Sequence, residues 1–134
     1  MIFRKIAVAA FVCVGLSGVA YAAAVGAGGM RSTELQRSEV PGSNYVVVTL
    51  RTEMDSGAMD PLHSHPGVQI GYLEAGSLLL KVEGQPDRLI KAGESYQVPA
   101  GVPHAGINTG SDTYKSVTSY VVDKTKPMRT ELAK

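Results

Sequence analysis

The sequence predicts an all-β fold, a sandwich or a barrel, in one domain. Short segments rich in β-branched residues, or alternating between apolar and polar residues, are typical of strands. Gly and Pro residues separate these segments, and no long segment with a helical period follows residue 22. A chain of 134 residues has room for one hydrophobic core but not for two. The predicted strands are 45–52, 68–73, 78–82, 88–91, 95–98 and 114–122.

Each predicted element has a local reason. Residues 45–52 are rich in β-branched side chains, which favour a strand. Leu78, Leu80 and Val82 alternate with their neighbours as in a half-buried strand. Residues 54–62 contain Gly57 and Pro61 and are predicted to form a loop, and residues 83–86, 92–93 and 99–101 are predicted turns.

The chain ends are expected to lie outside the core. Residues 1–22 combine a basic start, an apolar run and Ala20-Tyr21-Ala22, and this pattern predicts a signal peptide cleaved after Ala22. Residues 23–44 are predicted to be a flexible lead-in and residues 123–134 a polar tail, which leaves a barrel at 45–122. The expected location is periplasmic or secreted. An uncleaved anchor is disfavoured, because the apolar run is too short to span a bilayer.

Charge and cysteine content exclude several classes. Removing residues 1–22 changes the formal net charge from +1 to −1, so the mature chain lacks the basic surface of a nucleic-acid binder. Cys13 lies in the signal peptide, so the mature chain would have neither a disulfide nor a thiolate site. Nothing after Ala22 predicts membrane insertion.

All three histidines of the chain fall within two spaced patterns. The patterns are Gly57-x5-His63-x-His65-x3-Gln69-x6-Gly76 and Gly93-x5-Pro99-x-Gly101-x2-His104-x3-Asn108. Histidines at i and i+2 of a strand point to the same face. His104 joins them only if the fold brings two strands together, and clustered imidazoles are typical of a metal site.

The two patterns resemble the paired motifs of the cupin superfamily, G-x5-H-x-H-x3,4-E-x6-G and G-x5-P-x-G-x2-H-x3-N. Nine of the ten named positions match, and the resemblance extends over about residues 46–121. It implies a jelly-roll β-barrel whose ligands face the interior. It also implies that one divalent metal is bound by His63, His65, Gln69 and His104. Iron, manganese, nickel, copper and zinc are not distinguished.

Position 69 departs from the family pattern, because Gln stands where the pattern has Glu. The amide oxygen of Gln69 can ligate but carries no charge, so a bound ion would keep its full +2. We expect a stronger Lewis acid and no glutamate base at this position. The alternative is that Gln69 does not contact the metal but hydrogen-bonds to one of its ligands.

Other residues carry weaker expectations. Asn108 is predicted to be a turn residue, and the tail with Lys124, Lys126 and Arg129 is predicted to be a solvated terminus. Tyr72 and Tyr96 fit either a ligand pocket or the core. Two methionines flank the loop before His63, a feature that is compatible with copper but is more often apolar cover.

Two functions of different classes follow. The first is an exported cupin enzyme that acts on a small oxygen-rich substrate by dioxygenase, isomerase or lyase chemistry. The second is a non-catalytic binding protein for a metal, a sugar or an organic acid. A structural cupin with an empty site is the weaker third. Homodimerisation is also expected, because a partner can cover sheet edges.

Overall fold

The computed structural model describes residues 29–133, which form ten β-strands and no helix. The predicted all-β class is confirmed. The strands pair into two antiparallel five-stranded sheets, as in a jelly roll. The strands are β1 Met30–Glu39, β2 Tyr45–Met54, β3 Met59–Ser64, β4 Gly67–Ala75, β5 Ser77–Val82, β6 Arg88–Lys91, β7 Ser95–Val98, β8 His104–Ile107, β9 Tyr114–Asp123 and β10 Thr130–Glu131.

The strand order brings distant parts of the chain together. One sheet has the order β1-β2-β9-β4-β7, and the other has the order β10-β3-β8-β5-β6. The long strand β9 lies between β2 and β4, so the last part of the chain is central to its sheet. Alternate residues of β9 are buried, which is the pattern of a strand with one face toward the core.

The apolar core consists of two clusters. The larger includes Met54, Leu73, Leu80, Ile90 and Tyr96, and the smaller is formed by Val46, Val48, Tyr120 and Val122. His65 lies against Tyr120 of the smaller cluster, and Gln69 contacts Tyr96 of the larger one. The polar residues are thus enclosed by packed apolar side chains.

Gly71 on β4 allows a close approach. A Cβ at this position would lie 2.3 Å from Cζ of Tyr96, far inside van der Waals contact. The missing side chain lets the Tyr96 ring lie over β4, with its hydroxyl 3.5 Å from Nε2 of Gln69. Gly71 therefore helps to position a residue beside the site.

The lead-in, the first loop and the tail differ from expectation. Met30–Glu39 is not a flexible lead-in but strand β1, which pairs with β2 along its whole length. The predicted loop ends earlier, because β3 begins at Met59 and pairs with β8. The tail contributes β10, which pairs with β3. These strands are polar or very short, so they lack the apolar pattern that predicts a strand.

The predicted signal peptide at 1–22 lies outside the described residues. Within residues 29–133, no helix is long and apolar enough to cross a membrane.

Candidate metal centre

The three histidines converge inside the barrel. His63 on β3 and His104 on β8 are direct cross-strand partners, and His65 follows the end of β3. Their ring centroids are 4.2 Å (His63–His104), 4.9 Å (His63–His65) and 5.3 Å (His65–His104) apart. One nitrogen of each ring lies within 4.8 Å of the others. This spacing allows three imidazoles to contact one ion.

Backbone carbonyls select the tautomer of all three rings. A carbonyl oxygen only accepts hydrogen bonds, so each Nδ1 must be the protonated donor. Each Nε2 is then left with a free lone pair, the form that ligates a metal. The pairs are His63 Nδ1 with Pro61 O at 2.6 Å, His65 Nδ1 with Met128 O at 2.6 Å, and His104 Nδ1 with Val102 O at 2.9 Å.

Three buried polar atoms have no hydrogen-bond partner among the described residues: Nε2 of His65, Nε2 of His104 and Oε1 of Gln69. A buried polar atom without a partner costs about 1–3 kcal/mol, so native folds rarely leave three together. All three atoms have lone pairs, and imidazole nitrogen with amide oxygen is a donor set that suits a divalent transition metal. The residues present therefore fit a metal ion.

Gln69 reaches the site from the opposite sheet. It lies on β4, and its side chain is 7% exposed. Nε2 of Gln69 donates a long hydrogen bond to the Tyr96 hydroxyl, which leaves Oε1 as the free end. Gln69 and His104 line the same small cavity of about 30 Å³. This placement agrees with a ligand role for Gln69, which stays a prediction.

Burial keeps the imidazoles neutral. Removal from water lowers the pKa of His63 and of His65 to about 4, and it also lowers the pKa of His104. The charged form is disfavoured because it loses its hydration, and neighbouring imidazoles add to the effect at His63 and His65. Neutral rings bind a metal without first releasing a proton.

The cavity beside the histidines is lined by hydroxyl groups. Tyr114 donates a hydrogen bond of 2.8 Å to Ser116 Oγ, which lies 3.5 Å from Thr118 Oγ1. Together with Tyr120 these side chains follow one another at i, i+2, i+4 and i+6 on β9, so all face the interior. The sequence already contained this alternation, which had been interpreted only as a strand.

An ion pair lies next to the histidines and was missed by the sequence analysis. Arg129 Nη1 donates to Asp60 Oδ1 at 2.7 Å, and the same oxygen lies 3.7 Å from His63 Nδ1. Arg129 is 28% exposed and is not part of a solvated terminus, so that expectation is corrected. Burial raises the pKa of Asp60, while the Arg129 charge opposes this shift. Asp60 and Arg129 are 69 positions apart, and no local sequence pattern predicts a contact at that separation.

Two further expectations are resolved. Asn108 is fully buried, and its Oδ1 accepts a hydrogen bond of 3.0 Å from Gly110 N, as in an Asx turn, so its predicted role in a turn is confirmed. Its Nδ2 also donates to the carbonyls of Met54, Asp55 and Asp112. Tyr72 is 50% exposed, whereas Tyr96 lines the cavity. Of the two tyrosines, only Tyr96 belongs to the site.

The fold and the site define a class, an all-β barrel that encloses a three-histidine cluster. The chain belongs to the cupin family, because the cupin domain matches residues 50–120.

Curated relatives include oxalate oxidase GF-2.8 of Triticum aestivum, 33% identical over 101 residues that cover 69% of this chain and 45% of that protein. Germin-like protein 3-5 of Oryza sativa subsp. japonica is 31% identical over 101 residues, covering 69% of this chain and 44% of that protein. The chain thus spans about half the length of the curated relatives it matches.

Solved structures share the fold. An oxalate oxidase in complex with the substrate analogue glycolate is 27% identical, with a TM-score of 0.65, over 81% of this chain and 57% of that one. An RmlC-like cupin from Shewanella frigidimarina is 20% identical, with a TM-score of 0.58, over 74% of this chain and 80% of that one. The second likeness concerns the fold alone.

Proposed function

We propose that this cupin binds one divalent metal through His63, His65, His104 and Gln69 and acts outside the cytoplasm as an enzyme on a small carboxylic acid of the oxalate class. The observation that carries the proposal is the convergence of three buried imidazoles, together with unpartnered buried lone pairs on Nε2 of His65, Nε2 of His104 and Oε1 of Gln69. The similarity to oxalate oxidases supports the substrate class, and the predicted signal peptide supports the location.

A divalent ion at this point would supply Lewis-acid or redox chemistry to an oxygen ligand. The chain's own residues fix the geometry. The three Nδ1–H groups are held by backbone carbonyls, which keeps each Nε2 directed inward. Because all four proposed ligands are neutral, the site would favour an anionic substrate. The cavity beside His104 is small, about 30 Å³, and so favours a small substrate.

The hydroxyls of β9 would contact the substrate oxygens. Ser116 and Thr118 offer hydroxyl groups along one wall of the cavity, and Tyr114 holds Ser116 in place by donating its own proton to Ser116 Oγ. Burial raises the pKa of Tyr114, so this phenol stays protonated and keeps that hydrogen bond. Apolar side chains around the cavity exclude bulk water, which strengthens these hydrogen bonds.

A non-catalytic metal- or acid-binding protein is the second candidate, and one observation favours it. Gln69 replaces the carboxylate of the family pattern, and Asp60, the acid beside His63, is paired with Arg129. Asp60 is the only carboxylate among the described residues that line the cavity, and its pairing with Arg129 makes it a poor general base.

The test is metal analysis followed by an activity assay. The purified protein is loaded separately with Mn²⁺, Fe²⁺, Ni²⁺, Cu²⁺ and Zn²⁺ and supplied with oxalate and dioxygen. Oxidation of oxalate by dioxygen with uptake of two protons gives two CO₂ and one H₂O₂, and both products are measured. We expect one metal per chain and turnover that is lost in His104→Ala.

The outcomes separate the two candidates. Stoichiometric metal without turnover of oxalate, glycolate or related acids would support the binding protein. A folded wild-type chain that binds none of the five metals would overturn the enzyme and the metal-binding protein, and one that in addition binds neither oxalate nor glycolate would overturn the acid-binding protein as well.

A further inference from the structure

The C-terminal residues 128–132, here called the strap, lie directly against the histidine cluster. Within the strap, β10 pairs with β3, with Thr130 opposite Ser64 and Glu131 opposite His63. Leu132 N donates to Leu62 O at 3.0 Å. A segment expected to be a solvated tail is therefore hydrogen-bonded to the strand that carries His63 and leads into His65.

His65 depends on the strap in a way that the other two histidines do not. The Nδ1 atoms of His63 and His104 each bond to a carbonyl two positions earlier in the chain. By contrast, His65 Nδ1 bonds to the carbonyl of Met128, 63 positions later. Local backbone geometry fixes the first two rings, whereas the third is fixed only while the strap stays in place.

The strap also contributes to the apolar packing around His65. Met128 packs against the small core cluster that contains Tyr120. The Tyr120 ring meets the His65 ring edge-on, with centroids 4.7 Å apart and an interplanar angle of 63°. Displacement of the strap would remove both the hydrogen-bond acceptor of His65 and part of the packing behind it.

Few contacts hold the strap itself. Its strand has two residues and lies at the edge of its sheet, where backbone pairing opens most easily. Arg129 donates to Asp60 at 2.7 Å and also pairs with Glu131. The Arg129–Asp60 pair is about three-quarters buried, so it is screened less than a surface ion pair. It links the strap to the segment that contains His63.

We propose that Arg129 is a positioning residue for the metal site. Through Asp60 it holds the Met128 carbonyl on His65 Nδ1, and this contact sets how tightly the site binds a metal. The inference rests on the proposed metal-binding function and adds to it a residue outside the four ligands. Loss of such supporting hydrogen bonds weakens metal binding by about 10- to 100-fold.

The experiment compares Arg129→Met with Lys126→Met in the full chain. Both variants remove one positive charge from the C-terminal part of the chain, but among the described residues Lys126 pairs with Asp123 alone, and it is 64% exposed. Zn²⁺ affinity is measured by competition with a chelator, and the Co²⁺ absorption spectrum reports the ligand set. We expect about 10- to 100-fold weaker Zn²⁺ binding and an altered Co²⁺ spectrum in Arg129→Met, with neither change in Lys126→Met.

Asp60→Asn guards against a folding defect. This variant keeps the shape of the side chain but removes the negative charge that holds Arg129. A second variant, Arg129→Lys, retains the positive charge that Arg129→Met removes. We expect weakened Zn²⁺ binding in Asp60→Asn and partial recovery in Arg129→Lys, with circular dichroism matching the wild type.

The failures are distinguishable. A wild-type chain that binds no Zn²⁺ overturns the proposed function. Wild-type affinity and spectrum in both Arg129→Met and Asp60→Asn, in a chain that does bind Zn²⁺, overturn only the role of the strap.

Discussion

His63 and His104 face each other across β3 and β8, with their ring centroids 4.2 Å apart. This single cross-strand pair joins the two sequence motifs into one site. His65 and Gln69 approach from the end of β3 and from the opposite sheet. The centre therefore depends on correct packing of the two sheets against each other, so metal binding reports on the fold as a whole.

Metal binding should stabilise the wild-type chain but not His104→Ala. A ligand at 100 times its Kd stabilises a protein by about 2.7 kcal/mol if it binds only the folded state. Thermal unfolding with and without Zn²⁺ measures the difference, and each variant is compared with its own metal-free form. An equal Zn²⁺-dependent rise in Tm in His104→Ala would remove His104 from the site.

The metal-free protein should lose stability as the pH falls from about 6.5 toward 4. Unfolded histidines have a pKa of about 6.5, whereas burial lowers the pKa of His63 and His65 to about 4. In this window the unfolded chain binds protons that the folded chain does not, so the free energy of unfolding decreases as the pH is lowered. Each histidine contributes up to about 1.4 kcal/mol per pH unit.

Urea unfolding between pH 7 and 5 tests the sign. Asp60 contributes with the opposite sign, because burial raises its pKa from the ordinary value of 3.8, so the histidine contribution is isolated by comparison with a histidine variant. His63→Gln should flatten the slope, because one titrating group is removed. The same slope in this variant would show that His63 is not a buried neutral group.

Gln69→Glu should bind metal about tenfold tighter or more, because a carboxylate neutralises part of the ion's charge. The same change should weaken binding of anions such as glycolate to the metal-loaded protein. The metal-free variant should be less stable, since the new charged carboxylate would be buried away from water. Isothermal titration with metal and then with glycolate gives both affinities. Unchanged metal affinity and anion preference would place Gln69 outside the ligand set.

Gly71→Ala should destabilise the fold by about 1–3 kcal/mol, because the new methyl group would overlap the Tyr96 ring. Gly106→Ala is the matched control. Its Cβ would meet a terminal methyl carbon of Leu78 at 2.9 Å, and a flexible side chain can move away. Chemical denaturation should therefore show the larger loss at Gly71. An equal or larger loss at Gly106 would contradict this packing.

The mature protein should begin at Ala23. The apolar run that precedes Ala20-Tyr21-Ala22 is the basis for cleavage at that point. Mass spectrometry of the protein from the periplasm or the culture medium checks the N-terminus. Recovery of the intact chain from the cytoplasm alone would refute export.

The sequence predicted the interior of the barrel better than its edges. His63, His65 and His104 converge as the resemblance to cupins implied, and alternation along the strands explains why such side chains face inward. The strands β1 and β10 were missed, since polar edge strands bury little and carry no apolar period. The Arg129–Asp60 pair was also missed, because a contact between residues 69 positions apart depends on the finished fold.

X-ray absorption spectroscopy of the Zn²⁺-loaded protein tests the central claim most directly. The account predicts one ion per chain surrounded by three imidazole nitrogens and at least one oxygen, at about 2.0–2.2 Å. In His65→Ala the imidazole signal should fall by one third or disappear with the metal. A folded, metal-loaded wild-type chain whose spectrum lacks imidazole scattering would contradict the account.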